Sequence, residues 1–281
     1  MYRSPAALED ALQALAEGAR VIAGATDLLP ANGEKPLEGD FVDCRRIAEL
    51  RGVSRDGAYF RIGAATTWSD IVRADLPPAF AALQTAARDI GAVQIQNRAT
   101  IAGNLCNASP AADGVPPLLI LDAEVELTST QGQRLLPLSE VLIGARATAR
   151  APEELMTAIL CPAPSPTMRA NFLKLGARRY LVISIAMVAV ALDISEGVVN
   201  EARIAVGACS AKAMRLPLAE ARLKGAAAAP GLADALTPED FAELSPIDDV
   251  RAQASYRREA AFTLARRAVE ACLRGETGGV V

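Results

Sequence analysis

Apolar residues first recur at helical spacing: Leu8, Ala11, Leu12 and Leu15 fall on one face. Ser4 and Pro5 supply N-cap and N1 residues for this helix, and Gly18 closes it. A short strand over 20–23 follows, with further strands predicted at 41–44 and 59–62. Leu76-Pro77-Pro78 introduces a helix over 79–90 that stops at Gly91, and an extended piece is expected at 93–95. After Pro116-Pro117, the apolar run 118–121 reads as a buried helix. Residues 124–130 alternate, Gln131-Gly132 turns the chain, and 134–138 returns as the second strand of a hairpin. Three prolines at 162, 164 and 166 mark a linker. Beyond it the pattern gives strands at 172–175, 183–194 and 202–206, with a turn over 195–200. A last helix over 256–273 carries Ala260, Leu264, Val269 and Leu273 as its core-facing stripe.

At 281 residues the chain exceeds one average domain, and two domains are the natural expectation. The boundaries read as 1–165, with lobes of about 1–53 and 54–165, then 168–275, and a frayed tail over 276–281. The net charge of −4, with acids and bases mixed, lacks the basic stripe of a nucleic-acid binder. The longest apolar stretch, 183–192, is too short to span a bilayer, so no transmembrane segment is expected. The N-terminal residues show no apolar segment of a secretory signal, and the chain reads as cytoplasmic.

Absent residues narrow the chemistry. There is no histidine, which removes Ser-His-Asp triads, Cys-His pairs and histidyl metal sites. The five cysteines stand far apart, so neither a disulfide framework nor a metal site is expected. No catalytic residue and no metal ligand is assigned. What survives is chemistry supplied by a cofactor, with the protein binding and orienting it.

Two polar turns are candidates for that task. Residues 98–113, Arg-Ala-Thr-Ile-Ala-Gly-Asn-Leu-Cys-Asn-Ala-Ser-Pro-Ala-Ala-Asp, crowd hydrogen-bonding groups between apolar segments. A smaller turn, Ile22-Ala-Gly-Ala-Thr-Asp27, follows the first strand. Backbone N–H groups in such turns bind phosphate without Lys or Arg, because the amide dipoles present their positive ends. Asp27 is the odd member, since a carboxylate repels phosphate; it is better suited to a local N–H or a ligand hydroxyl. Taken alone, the smaller turn reads more simply as a capped turn. No GxGxxG and no GxxxxGK[ST] occurs, so neither a Rossmann nor a P-loop site is supported.

Together these residues resemble the flavoprotein subunits of molybdenum hydroxylases, the xanthine dehydrogenase and aerobic carbon monoxide dehydrogenase type. Ala23-Gly24-Ala25-Thr26-Asp27-Leu28 is similar to the first FAD-pyrophosphate loop of that family, and 90–113 to the second. Residues 154–162 and 172–179 match in order, so the resemblance spans nearly the whole chain. It implies an α+β fold: a two-lobed FAD-binding domain of the vanillyl-alcohol oxidase/MurB type, then a small α+β domain with an antiparallel sheet and helices.

Carried over by position, the resemblance implies that Val21, Ala23, Gly24, Ala25, Thr26, Asp27 and Leu28 hold the pyrophosphate with Thr100, Ala102, Gly103 and Asn104. It places Asn107 and Asp113 at ribityl or ring atoms, and Ile90 by the adenine. Met156, or its neighbour Leu155, would lie on a ring face. Lys174 would sit at the pyrimidine end, where a cation stabilises negative charge on the ring; its alternative is a lysine snorkelling from a strand. The family often has Gly-Gly where this chain has Gly24-Ala25 and Ala102-Gly103, and Ala102 reads as the least secure position. Tyr180 stands where relatives often carry an acidic residue.

The implied role is an electron-transfer subunit that passes electrons from iron–sulfur clusters to NAD or another acceptor. Molybdopterin and 2Fe-2S clusters would reside only in partners, a molybdenum-cofactor large subunit and an iron–sulfur small subunit. The assembly would be a heterotrimer that can dimerise. Two alternatives stay open: a self-sufficient FAD oxidoreductase of MurB-like or oxidase type, and an assembly subunit that has lost FAD.

Overall fold

The computed structural model describes residues 1–178, 181–276 and 278–280; Tyr180 lies outside them. The chain divides into two compact units, each discontinuous in sequence. The first gathers Met1–Ala74, Val93–Ala108 and Ala123–Ala163; the second gathers Asp75–Ala92, Ser109–Asp122 and Pro164–Val281.

In the first unit, Tyr2–Arg3, Phe41–Asp43 and Arg20–Ile22 form a parallel sheet with Phe41–Asp43 at its centre. The helix Leu8–Ala16 turns Ala11, Leu12, Ala14 and Leu15 inward, as its spacing predicts. They pack with Val42, Cys44, Ile47, Leu50 and Leu155 in one buried cluster. The second sheet of this unit is antiparallel, in the order Val53–Asp56, Tyr59–Gly63, Leu155–Pro162, Glu124–Ser129, Gly132–Pro137. The hairpin predicted at Gln131-Gly132 forms, with Ser129 opposite Gly132.

The second unit centres on three long antiparallel strands, Met168–Leu175, Ala186–Ser195 and Val198–Gly207. Ala186, Val188, Val190 and Leu192 face the long helix Ala254–Arg274 in the larger apolar cluster. The intervening Met187, Ala189 and Ala191 are fully buried too. A second cover explains them: Ala81–Asp89 and Val115–Ile120 belong to this unit and lie against its strands. A strand covered on both faces reads as a continuous apolar run rather than an alternation, which is the pattern seen at 186–192.

The expected α+β class, with an antiparallel C-terminal sheet and helices, is what the chain forms. Two expectations are corrected. Residues 93–95, expected to be extended, begin the short helix Val93–Gln96, because the β-branched residues there lack strand partners. Gly279–Val280, expected in a frayed tail, pair in parallel with Leu173 and Lys174.

Candidate functional site

The first polar turn and residues 98–108 of the second lie in the first unit and meet through their backbones. A Cβ added at Gly24 would stand 2.1 Å from the Arg98 carbonyl oxygen and 2.8 Å from the Ala99 Cα. Only glycine permits that approach, and this is the physical reason for Gly24 in the first turn. The next residue, Ala25, holds φ 60°. That left-handed conformation costs an L-residue with a side chain about 1–2 kcal/mol. The strained departure from Gly-Gly is therefore Ala25. Ala102, the residue that sequence reading marks as least secure, sits inside the helix Ile101–Asn107, where alanine is favoured.

The second turn is more regular than an open cradle. Thr100 is the N-cap of Ile101–Asn107, and its hydroxyl accepts the Gly103 N–H at 3.1 Å. The remaining amides of that first turn are also engaged. Ile101 N–H donates to Thr66 O, Ala102 N–H to Ala64 O and Asn104 N–H to Thr100 O. The helix start therefore does not offer its own amides to a phosphate.

The free donors lie in the smaller turn instead. The amides of Gly24, Ala25, Thr26 and Asp27 donate to no acceptor among the described residues. A run of unpaired N–H groups wound around one left-handed residue makes an anion-binding concavity. A second unmet group is of the opposite kind: the buried side-chain oxygen of Asn104 has no partner and, as an acceptor, calls for a hydroxyl or N–H donor, not a phosphate oxygen. Buried polar atoms without partners are rare in folded chains, and a ligand is one way to satisfy them.

The Asp27 side chain caps no local N–H, contrary to expectation; its partner comes from far along the chain. Asn107 donates from Nδ2 to Asp27 Oδ1 at 2.7 Å and so clasps the two turns together. The other side of the Asn107 amide accepts from the Arg146 guanidinium. Arg146 itself has φ 59°, and its N–H donates to Ala108 O at 2.8 Å. Sequence reading missed Arg146, which is fixed by a contact between residues 39 apart and carries no local motif.

Leu155 belongs to the first unit's buried cluster, and Met156 is 2% exposed in the strand Leu155–Pro162. Val21 sits in the parallel sheet opposite Val42. Ala23 and Thr26 are half-buried in the first turn, and Leu28 opens the short helix Leu28–Asn32.

The other predicted residues belong to the second unit. Ile90, half-buried, ends the helix Ala81–Asp89. Asp113 and Lys174 form a buried ion pair, Nζ to Oδ2 at 2.5 Å, with Lys174 only 2% exposed. Lys174 is thus no snorkelling lysine. Ser184 donates to the other oxygen of Asp113, also at 2.5 Å. Burial raises the Asp113 pKa, opposed by the ammonium and by both hydrogen bonds. Among the described residues no group of three or more His, Cys, Asp or Glu could hold a metal.

The unpaired amides of 24–27 and the close glycine contact fit the diphosphate of a cofactor, and the unpaired Asn104 oxygen fits a hydroxyl or N–H of such a molecule. Comparison with known proteins agrees. Residues 1–164 match the family model described as the FAD binding domain in molybdopterin dehydrogenase, and 171–272 match the CO dehydrogenase flavoprotein C-terminal domain. The chain is 32% identical to the nicotine 6-hydroxylase medium subunit of Paenarthrobacter nicotinovorans, over 95% of each chain. It is 28% identical to the xanthine dehydrogenase FAD-binding subunit of Escherichia coli O157:H7, over 99% of this chain and 97% of the other. Its fold superposes on a chain of the carbon monoxide dehydrogenase structure from Hydrogenophaga pseudoflava with a TM-score of 0.89 and 28% identity, covering 98% and 97%. The chain belongs to the family of FAD-binding subunits of molybdopterin dehydrogenases, and FAD is its cofactor.

Proposed function

We propose that this chain is the FAD-carrying electron-transfer subunit of a molybdenum-containing hydroxylase or dehydrogenase. It receives electrons from iron–sulfur clusters of a partner subunit and passes them to NAD or another acceptor. The supporting observation is the run of unpaired amides at 24–27, set against a second turn at the close contact of Gly24 with Arg98 and Ala99. The family and the names of its relatives, medium and FAD-binding subunits of dehydrogenases and hydroxylases, support the same reading.

In this reading the amides of Gly24, Ala25, Thr26 and Asp27 hold the pyrophosphate. Thr100 and Gly103 shape the facing turn, and the Asn104 side-chain oxygen accepts from a hydroxyl or N–H of the cofactor. Asn107 and Arg146 hold Asp27 away from the phosphate charge, which explains how an acidic residue is tolerated in an anion cradle. Asp113 and Lys174 serve the pyrimidine end of the ring. FAD supplies an electron carrier that exchanges electrons singly or in pairs, and the protein's contribution is binding and electrostatics. No side-chain nucleophile or general base is required. The cluster-bearing and molybdenum-bearing subunits are partners in this proposal. No helix among the described residues is long and apolar enough to cross a membrane.

The test is anaerobic rapid mixing of the purified native complex with its reducing substrate, or with dithionite. Bleaching of the flavin band after that of the clusters, and its recovery on adding NAD or a dye acceptor, is the expected result. A flavin that is never reduced, while the clusters are, would overturn the electron-transfer role.

A further inference from the structure

The second unit buries a three-member polar cluster drawn from segments far apart in sequence. Asp113 accepts from Lys174 on Oδ2 and from Ser184 on Oδ1, both at 2.5 Å, across separations of 61 and 71 residues. Asp113 is 7% exposed, and Lys174 and Ser184 are 2% exposed each. A buried carboxylate with one oxygen unmatched is costly, and it rotates or shifts until both are matched. Here a different partner matches each oxygen, so the carboxylate plane has one satisfied orientation.

Ser184 is itself held in place. The neighbouring Ile185 donates its N–H to Leu175 O at 2.8 Å, one residue beyond Lys174 on the strand Met168–Leu175. The Ile185 carbonyl accepts from the buried Arg257 guanidinium at 2.7 Å. Both backbone groups of Ile185 are therefore engaged, which fixes the residue next to Ser184 relative to the strand that carries Lys174.

Asp113 and Lys174 are cofactor residues in the proposed function, whereas Ser184 carries no such assignment. We propose that Ser184 is a positioning residue for the flavin: by filling Oδ1 of Asp113, it keeps the Lys174 ammonium on Oδ2 alone, with its remaining N–H groups free for the ring. Without the hydroxyl, the ammonium is drawn to bridge both carboxylate oxygens and turns from the ring. The reduced ring, which carries more negative charge, then loses more stabilisation than the oxidised ring. This inference rests on the reading that Lys174 serves the flavin.

The test is the flavin midpoint potential of the FAD-loaded complex, measured with visible spectra and a thermal melt. Ser184→Ala should lower the affinity for reduced relative to oxidised FAD roughly tenfold, a fall of about 30 mV for a two-electron couple. Ser184→Thr, which keeps the hydroxyl, should restore the wild-type potential. Ser184→Cys offers an isosteric, weaker donor should the alanine variant not fold; it should move the potential the same way by less. Lys174→Gln, which keeps a donor to Asp113 but removes the charge, separates the two claims. If it shifts the potential while the Ser184→Ala and Ser184→Cys variants do not, the positioning role of Ser184 is wrong. If Lys174→Gln leaves the potential unchanged, Lys174 does not serve the ring, and both the reading and the inference fall.

Discussion

Gly24→Ala is the sharpest perturbation of the cradle. The added Cβ would meet the Arg98 carbonyl oxygen at 2.1 Å, against 3.4 Å for ordinary contact, so the two turns must separate by up to 1.3 Å. The obstructing atoms are backbone on both sides, so no side-chain rotation relieves them. Overpacking of this kind costs about 1–3 kcal/mol of stability. Binding should suffer more specifically. Hydrogen bonds from amides to a charged group are worth about 1.5–3 kcal/mol each. Moving the amides of 24–27 out of reach should therefore remove about 2–4 kcal/mol, roughly 30- to 700-fold in Kd. The assay is fluorescence titration of FAD into the flavin-stripped protein, alongside a melt of the apo form. Gly144→Ala is the control, because a Cβ there meets nothing within 4 Å and needs no left-handed backbone. A Gly24→Ala protein that binds FAD within twofold of wild type would refute the cradle argument.

Other outcomes follow from the same geometry. Ala25→Gly should raise stability by about 0.5–1 kcal/mol in chemical denaturation, because relief of the left-handed strain exceeds the added unfolded-state entropy; a loss would mean that φ 60° is unstrained. Arg257 donates to Ile185 O and pairs with Asp249 while 3% exposed. Arg257→Met should thus cost about 3 kcal/mol by leaving those partners unmatched, visible as a lower denaturant midpoint. Burial pushes the thiols of Cys44, Cys209 and Cys272 up to about 12 from 9.0. The unfolded thiols ionise first, so the stability from keeping them neutral is full below pH 9.0 and fades as pH rises towards 12. Denaturant midpoints measured across that range should fall, and less steeply in Cys272→Ala. Cys106 is the exposed one of the five cysteines, and desolvation raises its thiol pKa; a thiol reagent should titrate one group in native protein, faster as pH rises, and five after unfolding.

Local pattern made much of this molecule legible. The stripe Leu8, Ala11, Leu12, Leu15 gave its helix, and the unbroken apolar run 185–192 gave a buried strand, because each encodes its environment in spacing. The ordered match around 98–113 pointed to the family and with it to the cofactor. What spacing could not reveal depended on distant partners. The helix starting after Thr100 spends its amides on Thr66 and Ala64, which only the folded chain brings to it. Arg146 and Ser184 act through residues 39 and 71 positions away, so no local motif points to them. The left-handed state at Ala25 was likewise invisible, since alanine is a poor marker for positive φ.

The central claim, a flavin carrier within a molybdenum enzyme, is tested most directly by composition. The chain should be purified from its source under native conditions, and bound flavin, molybdenum and iron counted against polypeptide. One FAD released per chain on denaturation, with molybdenum and iron in co-purifying larger and smaller polypeptides, is the predicted result. A colourless preparation free of flavin and of both metals would contradict the account.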